Sequence, residues 1–217
     1  MDTKIHMKLI SFNNQEYIFR SLAKYLTPNL LEFGQAAYAN YDLSHDWGHA
    51  LQVTKNLEYI LDKTKPVFPN QEGVVQALTF AAMLHDANDH KYKNSWTKTP
   101  EELKKFLDDN LCVYSNEAFF AINNSSWSKR KNINDEDPSF NIWFLRFIRA
   151  ADWIEALSLQ RCIDYQHAHG HRVPEDVIMH IDEKLLHVYD ELWFDAAKKL
   201  AKPKLDELLN YKIVNDL

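Results

Sequence analysis

The chain has 217 residues, and 46% of them are apolar, which is enough to bury a core within the size range of one domain. It contains only 4 glycines and 7 prolines, a composition that suits long helices better than a many-stranded sheet. The formal net charge of −6 leaves no overall surplus of Lys and Arg, so binding to duplex nucleic acid is not expected. We therefore predict one compact all-α domain over residues 1–217.

A membrane-spanning or exported chain is not expected either. No stretch approaches the roughly 20 consecutive apolar residues of a membrane span. The opening segment MDTKIHMKLI lacks the apolar run and the small-residue cleavage site of a signal peptide. The expectation is a soluble, cytoplasmic protein that does not bind membranes.

The first half of the chain predicts three helices of substantial length. Apolar residues recur at helical spacing from Gln15 to Leu26, which predicts a helix there. Thr27-Pro28 is typical of an N-cap followed by proline at the first helical position. A longer helix is predicted from about Asp46 to Thr64, and an almost entirely apolar one from about Gln71 to Leu84.

The second half continues the helical pattern. Thr99 and Glu102 are spaced as a capping box that starts a short amphipathic helix, and another is predicted through Glu117 to Asn123. The polar stretch 123–138 is the one candidate loop of length, and a very apolar helix is predicted from Ser139 to Leu159. Pro174 begins the last long helical region, which Pro203 is expected to kink or interrupt.

Polar residues of one chemical kind interrupt the most apolar helices. The run Leu78 to Leu84 ends abruptly in His85-Asp86. Burying an imidazole and a carboxylate costs several kcal/mol unless each finds a partner, and a divalent cation is a partner for both. Asp152 stands in a similarly apolar helix, where Arg149 is an alternative ion-pair partner.

His49 adds a fourth group of this kind, one helical turn after His45 and on the same face. Each residue taken alone has an ordinary explanation, such as a hydrogen-bonded histidine or a capping carboxylate. Together they predict one divalent metal ion held by His49, His85, Asp86 and Asp152.

These residues resemble the signature of the HD-domain phosphohydrolase superfamily, in the segments HALQV, LTFAAMLHD and ADWIEAL. The segments HDWGH, LHDANDHK and MHIDEKLL resemble a small branch of nucleoside-triphosphate pyrophosphohydrolases. The resemblance implies a single HD domain with a core of about 44–200 and helical extensions at both ends. Two positions depart from the branch pattern: Gln52 replaces an Arg, and Trp153-Ile154-Glu155 follows the last Asp.

The resemblance also implies a reaction. A single divalent ion, with Mn²⁺ favoured and Mg²⁺, Co²⁺, Ni²⁺, Fe²⁺ or Zn²⁺ as alternatives, would activate water against phosphorus. The substrate would be a nucleoside or deoxynucleoside triphosphate, cleaved to monophosphate and pyrophosphate. A nucleotide monophosphatase, a signalling-nucleotide hydrolase and an inactive HD-fold binding module remain alternatives, and a homodimer is left open.

Further site residues follow from the same resemblance. Asp89, one turn after the ligand pair, is assigned general acid/base work or orientation of the water. Lys91 and Lys184 are candidates for binding the phosphate chain. His45 and Asp46 are expected to orient His49 or a phosphate, and Asp46 also suits the cap of the helix that begins there.

Overall fold

The computed structural model describes residues 7–134, 137–171 and 173–215, apart from the side chains of Lys91, Tyr92 and Ser95. This part of the chain is an all-α bundle with one β-hairpin, which confirms the predicted fold class. Its ten α-helices are α1 (Pro28–Ala37), α2 (Trp47–Thr64), α3 (Gln71–Leu84), α4 (Pro100–Asn110), α5 (Ser115–Asn124), α6 (Phe140–Ala156), α7 (Leu159–Ala168), α8 (Pro174–His180), α9 (Leu186–Asp190) and α10 (Asp195–Asn215).

The N-terminal segment is a hairpin, so the helix predicted from Gln15 to Leu26 is wrong. Strand β1 (Lys8–Phe12) pairs antiparallel with β2 (Gln15–Phe19). Asn13 and Asn14 form the two-residue turn with φ of 48° and 62°, a left-handed conformation that asparagine tolerates. Along β2 the buried side chains alternate with exposed ones, which is the period of a strand. The N-terminal extension is therefore only partly helical.

The helix starts follow the predicted capping pattern. The side chain of Thr27 accepts a hydrogen bond from the Leu30 N–H at the start of α1. Asp46 accepts one from the His49 N–H at the start of α2. Thr99 and Glu102 form the complete capping box of α4. Pro203 lies inside α10, which continues as one helix from Asp195 to Asn215 rather than being interrupted.

Three helices form the centre of the core. Helices α2, α3 and α6 pack against one another, and α5 covers both α3 and α6. Most residues of α3 and α6 are buried, as their apolar sequences predict. Each of the three central helices carries or ends at one of the predicted metal-type ligands, so the packing of the core brings these ligands to one place. None of the described helices is both long and apolar enough to cross a membrane.

Glu58 of α2 holds the hairpin to this core. Its carboxylate accepts hydrogen bonds from the backbone N–H groups of Arg20, at 2.7 Å, and Leu22, at 3.1 Å. Lys55 pairs with the same carboxylate. Burial alone would raise the pKa of Glu58, but Lys55 and the two N–H groups lower it below its ordinary value.

Substituting Glu58→Ala should therefore destabilise the fold. Two backbone donors would lose their partner, which should lower the free energy of unfolding by about 2 kcal/mol or more. Urea denaturation followed by far-UV circular dichroism measures the change. The control is Glu72→Ala, because Glu72 is exposed and pairs with Lys24 at the surface. Equal effects of the two substitutions would contradict the assigned role of Glu58.

Candidate metal centre

His85 and Asp86 lie where α3 ends and the chain turns. The helix stops at Leu84, so the two adjacent side chains project into one space from a turn instead of diverging along a helix. The ring Nδ1 of His85 lies 2.8 Å from the Ala82 carbonyl and donates to it, which turns Nε2 toward the cluster. The Asp86 N–H donates to the hydroxyl of Tyr38 at 3.2 Å.

Four predicted ligands meet at this point. His49 comes from the first turn of α2, and Asp152 from the buried face of α6. Nε2 of His49 lies 3.1 Å from Nε2 of His85 and 3.4 Å from Oδ1 of Asp152. Oδ2 of Asp86 lies 3.1 Å from Nε2 of His85 and 3.5 Å from Nε2 of His49. All four residues are buried.

The chemistry of this cluster fits a cation. Oδ1 of Asp152 is buried and makes no hydrogen bond within the described residues. The two imidazole nitrogens face each other at 3.1 Å, an arrangement that suits two lone pairs pointing at one ion. Ligands at roughly 2.0–2.2 Å from a metal stand about 3–3.5 Å from one another. The buried group His49, His85 and Asp152 can therefore bind a metal ion.

The close approach of opposite charges shifts the pKa values of the imidazole and carboxyl groups in this cluster. Burial would lower the pKa of His85, but the adjacent carboxylates of Asp86 and Asp152 raise it to about 10. Burial would raise the pKa values of Asp86 and Asp152, but the two histidines lower both below the ordinary range. At neutral pH the metal-free cluster is therefore two carboxylates compensated by a protonated His85.

The residues expected around the ligands have distinct positions. Asp46 caps α2, with Oδ1 accepting from the His49 N–H at 3.0 Å, and its side chain also lines a surface cleft. His45 is buried, and its Nδ1 lies 2.7 Å from the hydroxyl of Ser44. Burial lowers the pKa of His45 to about 4, so its ring is neutral at pH 7. The His45 ring lies 5.9 Å from that of His49.

Lys184 lies in a π-helical turn, Ile181–Leu185, between α8 and α9. Together with His45 it lines a small cavity of about 40 Å³, to which His180 and Arg161 also contribute. Asp89 is buried in the turn after α3, where Oδ1 lies 3.0 Å from Nδ1 of His90. The side chain of Lys91 lies outside the described part of the chain.

Arg161 is the site residue that the sequence did not reveal. It lies on α7, where its Nε donates to the Ser44 carbonyl at 2.7 Å and its Nη2 lies 3.2 Å from Nε2 of His49. Nothing in the segment LQRC distinguishes this arginine from any other Lys or Arg of the chain. Its proximity to the cluster arises only because α7 packs against α6.

A cleft of about 520 Å³ opens beside the cluster and reaches His49 and Arg161. Its volume lies within the roughly 300–1,000 Å³ that small-molecule sites occupy. The hairpin forms one wall, and the other lining residues come from the start of α2 and the loop before it, from the region joining α6 to α7, and from Lys204 of α10. The lining includes Phe12, Asn13, Gln15, Tyr17, Asp46, Gln52, Glu155, Arg161, Asp164 and Lys204.

Comparison with known proteins places the fold. No family model matches the chain, and no curated protein matches it significantly. Among solved structures, Bacillus subtilis YpgQ in complex with ADP is 20% identical, with a TM-score of 0.64 over 85% of this chain and 93% of YpgQ. A Lactobacillus plantarum protein is 19% identical, with a TM-score of 0.62 over 84% of this chain and 90% of that chain.

A third similar structure belongs to a protein of a described enzyme class. It is an HD-superfamily hydrolase from Bacillus thuringiensis, 20% identical, with a TM-score of 0.59 over 87% of this chain and 96% of that chain. The chain therefore shares the fold of these solved structures, one of which is an HD-superfamily hydrolase, and its central helices bring together a His-His-Asp group suited to a metal. The fold expected from the sequence resemblance is confirmed.

Metal binding should release a proton from this cluster. His85 is protonated below a pKa of about 10 and must lose its proton to act as a ligand. Near pH 7 we expect about one proton released per ion bound, with affinity rising as the pH rises. Calorimetric titration of the metal-stripped protein with Mn²⁺, in two buffers of different ionisation enthalpy, measures the released protons.

The control variants separate the cluster from surface carboxylates. Asp152→Ala should lose stoichiometric Mn²⁺ binding, whereas Asp108→Ala should keep it, because Asp108 is an exposed partner of Lys104. Unchanged Mn²⁺ binding in the Asp152 variant would refute the assigned centre. Binding without proton release would refute the proton on His85.

Proposed function

We propose that the chain is a metal-dependent phosphohydrolase that cleaves nucleoside or deoxynucleoside triphosphates to monophosphate and pyrophosphate. The observation that carries this proposal is the buried cluster of two imidazoles and two carboxylates, in which each imidazole Nε2 lies 3.1–3.6 Å from the other and from one oxygen of each carboxylate. The fold shared with an HD-superfamily hydrolase supports the reaction class. The ADP bound to YpgQ supports a nucleotide as the ligand.

His49, His85, Asp86 and Asp152 would hold the metal ion. A mixed set of imidazole and carboxylate donors suits Mn²⁺ and its first-row neighbours. When bound, such an ion lowers the pKa of a water molecule and neutralises phosphate charge. The chain fixes the donors beforehand: the Ala82 carbonyl orients His85, and the Asp46 cap fixes the first turn that carries His49.

Arg161 and Lys184 would bind the phosphates. The guanidinium of Arg161 is held against the cluster by the Ser44 carbonyl, and a fork of N–H donors in that position suits phosphate oxygens. Lys184 and Arg161 both line the small cavity. His45 lines the same cavity as a neutral ring and would orient His49 or a phosphate. Lys91 remains a further candidate from the sequence.

Asp89 would act on the water or on the leaving group. It lies in the same turn as His85 and Asp86, with its backbone N–H donating to the Asp86 carbonyl at 3.0 Å. The side chain is buried rather than solvated, which favours a role in the site over that of a surface carboxylate. Nδ1 of His90 lies 3.0 Å from Oδ1 of Asp89 and would exchange a proton with it.

A nucleotide panel tests the reaction. Metal-stripped protein is incubated with ribo- and deoxyribonucleoside triphosphates and Mn²⁺, and pyrophosphate and free phosphate are assayed separately. We expect metal-dependent pyrophosphate release that disappears in Asp86→Ala, because the ligand set is then incomplete. Free phosphate alone would instead indicate a nucleotidase. The absence of both products from protein with bound Mn²⁺ would favour a binding module.

The substitution Asp89→Asn tests the catalytic assignment. Asparagine keeps the shape of the side chain but cannot exchange a proton, so kcat should fall by roughly 10²- to 10⁴-fold. Mn²⁺ content, measured by elemental analysis, should remain at the wild-type value. Normal turnover in this variant would remove Asp89 from the mechanism, and loss of Mn²⁺ would assign it to the metal site.

A further inference from the structure

We infer that the N-terminal hairpin is the nucleobase-recognition wall of the site, with Phe12 as the surface on which the base stacks. This inference rests on the proposed function for the identity of the ligand. It assigns the cleft beside the cluster to the nucleoside half of a nucleotide. Four observations carry it: the contact of the hairpin with α2, the distribution of charge in the cleft, the orientation of two amide side chains, and the cleft volume.

The hairpin lies directly against the residue that precedes a metal-type ligand. A Cβ atom added to Gly48 would stand 3.2 Å from Cδ1 of Phe12 and 3.2 Å from the hydroxyl of Tyr17. Such contacts are tighter than ordinary packing, so glycine at this position lets the hairpin approach α2 closely. Because Gly48 adjoins His49, a ligand that reaches the cluster through the cleft passes beside Phe12.

Charged side chains line only part of the cleft: Arg161, Lys204, Asp46, Glu155 and Asp164 come from the helices and a helix cap, whereas the hairpin contributes uncharged side chains. Arg161 marks the inner end, where its Nη2 lies 3.2 Å from Nε2 of His49. The other cation lining the cleft, Lys204, is paired with Glu155. The hairpin wall offers an aromatic ring at Phe12 and uncharged amides beside it. This arrangement suits a molecule with an anionic end and a neutral, aromatic, hydrogen-bonding end.

Two amides present defined hydrogen-bonding groups to the cleft. The Asn56 side-chain nitrogen donates to the Ala151 carbonyl at 3.0 Å, which fixes the orientation of the Asn56 amide. Its oxygen then accepts from Nε2 of Gln52 at 3.2 Å. The Gln52 oxygen therefore remains as an acceptor. The hydroxyl of Tyr17 donates to Oε1 of Gln15 at 3.0 Å, which leaves the Gln15 nitrogen as a donor. A donor and an acceptor in fixed positions can read the edge of a base.

The volume admits such a ligand. The cleft has a volume of about 520 Å³, whereas the cavity beside Lys184 has a volume of about 40 Å³. The cavity can therefore hold only a small chemical group, and the cleft can hold a nucleoside. The small cavity and the cleft share Arg161, so a phosphate at this arginine can extend into either. A planar base stacked on an aromatic ring contributes roughly 1–3 kcal/mol to binding.

The test compares ligands with and without a base. Mn²⁺-loaded protein is titrated calorimetrically with AMP, CMP, GMP, UMP and ribose 5-phosphate. In the wild type at least one nucleoside monophosphate should bind roughly tenfold tighter than ribose 5-phosphate, the factor expected from one stacked base. Phe12→Ala should abolish this ratio, whereas Phe12→Tyr should keep it, because the ring is retained.

The matched control is Leu9→Ala, since Leu9 lies on the same strand with its side chain exposed. It should keep the wild-type ratio, which separates loss of the ring from loosening of β1. No preference for any nucleoside monophosphate in the wild type, or an unchanged ratio in Phe12→Ala, would overturn the inference. Equal loss in Leu9→Ala would also overturn it and assign the effect to hairpin stability.

A separate assay reports the proposed function. Mn²⁺-dependent hydrolysis of bis-p-nitrophenyl phosphate needs no base and should disappear in Asp86→Ala. If this hydrolysis is absent while the base preference persists and depends on Phe12, the proposed hydrolase fails and the base-binding wall stands. If hydrolysis occurs without base preference, the hydrolase stands and the wall is refuted.

Discussion

Two carboxylates and two imidazoles occupy one buried space among α2, α3 and α6, and the rest of the molecule has to keep them there. Like charges on Asp86 and Asp152 repel, and burial removes the water that would screen them. In the metal-free chain the compensating charge is the proton on His85, whose pKa is about 10. A divalent ion would compensate the same carboxylates more fully, so the metal and the proton compete for one position.

The surrounding fold restricts the freedom of each ligand. The packing of α2, α3 and α6 fixes where the three backbones come closest, and local hydrogen bonds then fix the side chains. His85 is oriented by the Ala82 carbonyl and the turn at Asp86 by the Tyr38 hydroxyl, which itself donates to the Met83 carbonyl at 3.2 Å. These hydrogen bonds restrict the side chains to orientations that suit a common ion.

The helices and the ligand cluster could be predicted from sequence because their signals are local. Capping residues such as Thr27 and Thr99 indicate where helices begin. Polar, metal-type side chains that interrupt apolar helices indicate the ligand cluster. The hairpin was not predicted because its apolar residues also fit a helical period. Its one local signal is the Asn13-Asn14 turn, which is typical of a connection between two strands. Arg161 was missed because its role depends on α7 packing against α6, a contact that no local pattern encodes.

The two departures from the branch pattern have different consequences. Trp153 donates to the Ser125 carbonyl at 3.3 Å and packs edge-on against Trp127, so it stabilises the segment after α5 and lies apart from the cleft lining. Gln52 lines the cleft and places an amide there, at the position where the sequence resemblance led us to expect an arginine. In this chain the positive charge beside His49 belongs to Arg161 of α7. The side chains that the hairpin contributes to the cleft are themselves uncharged, which favours their contact with a neutral part of a ligand over contact with its phosphates.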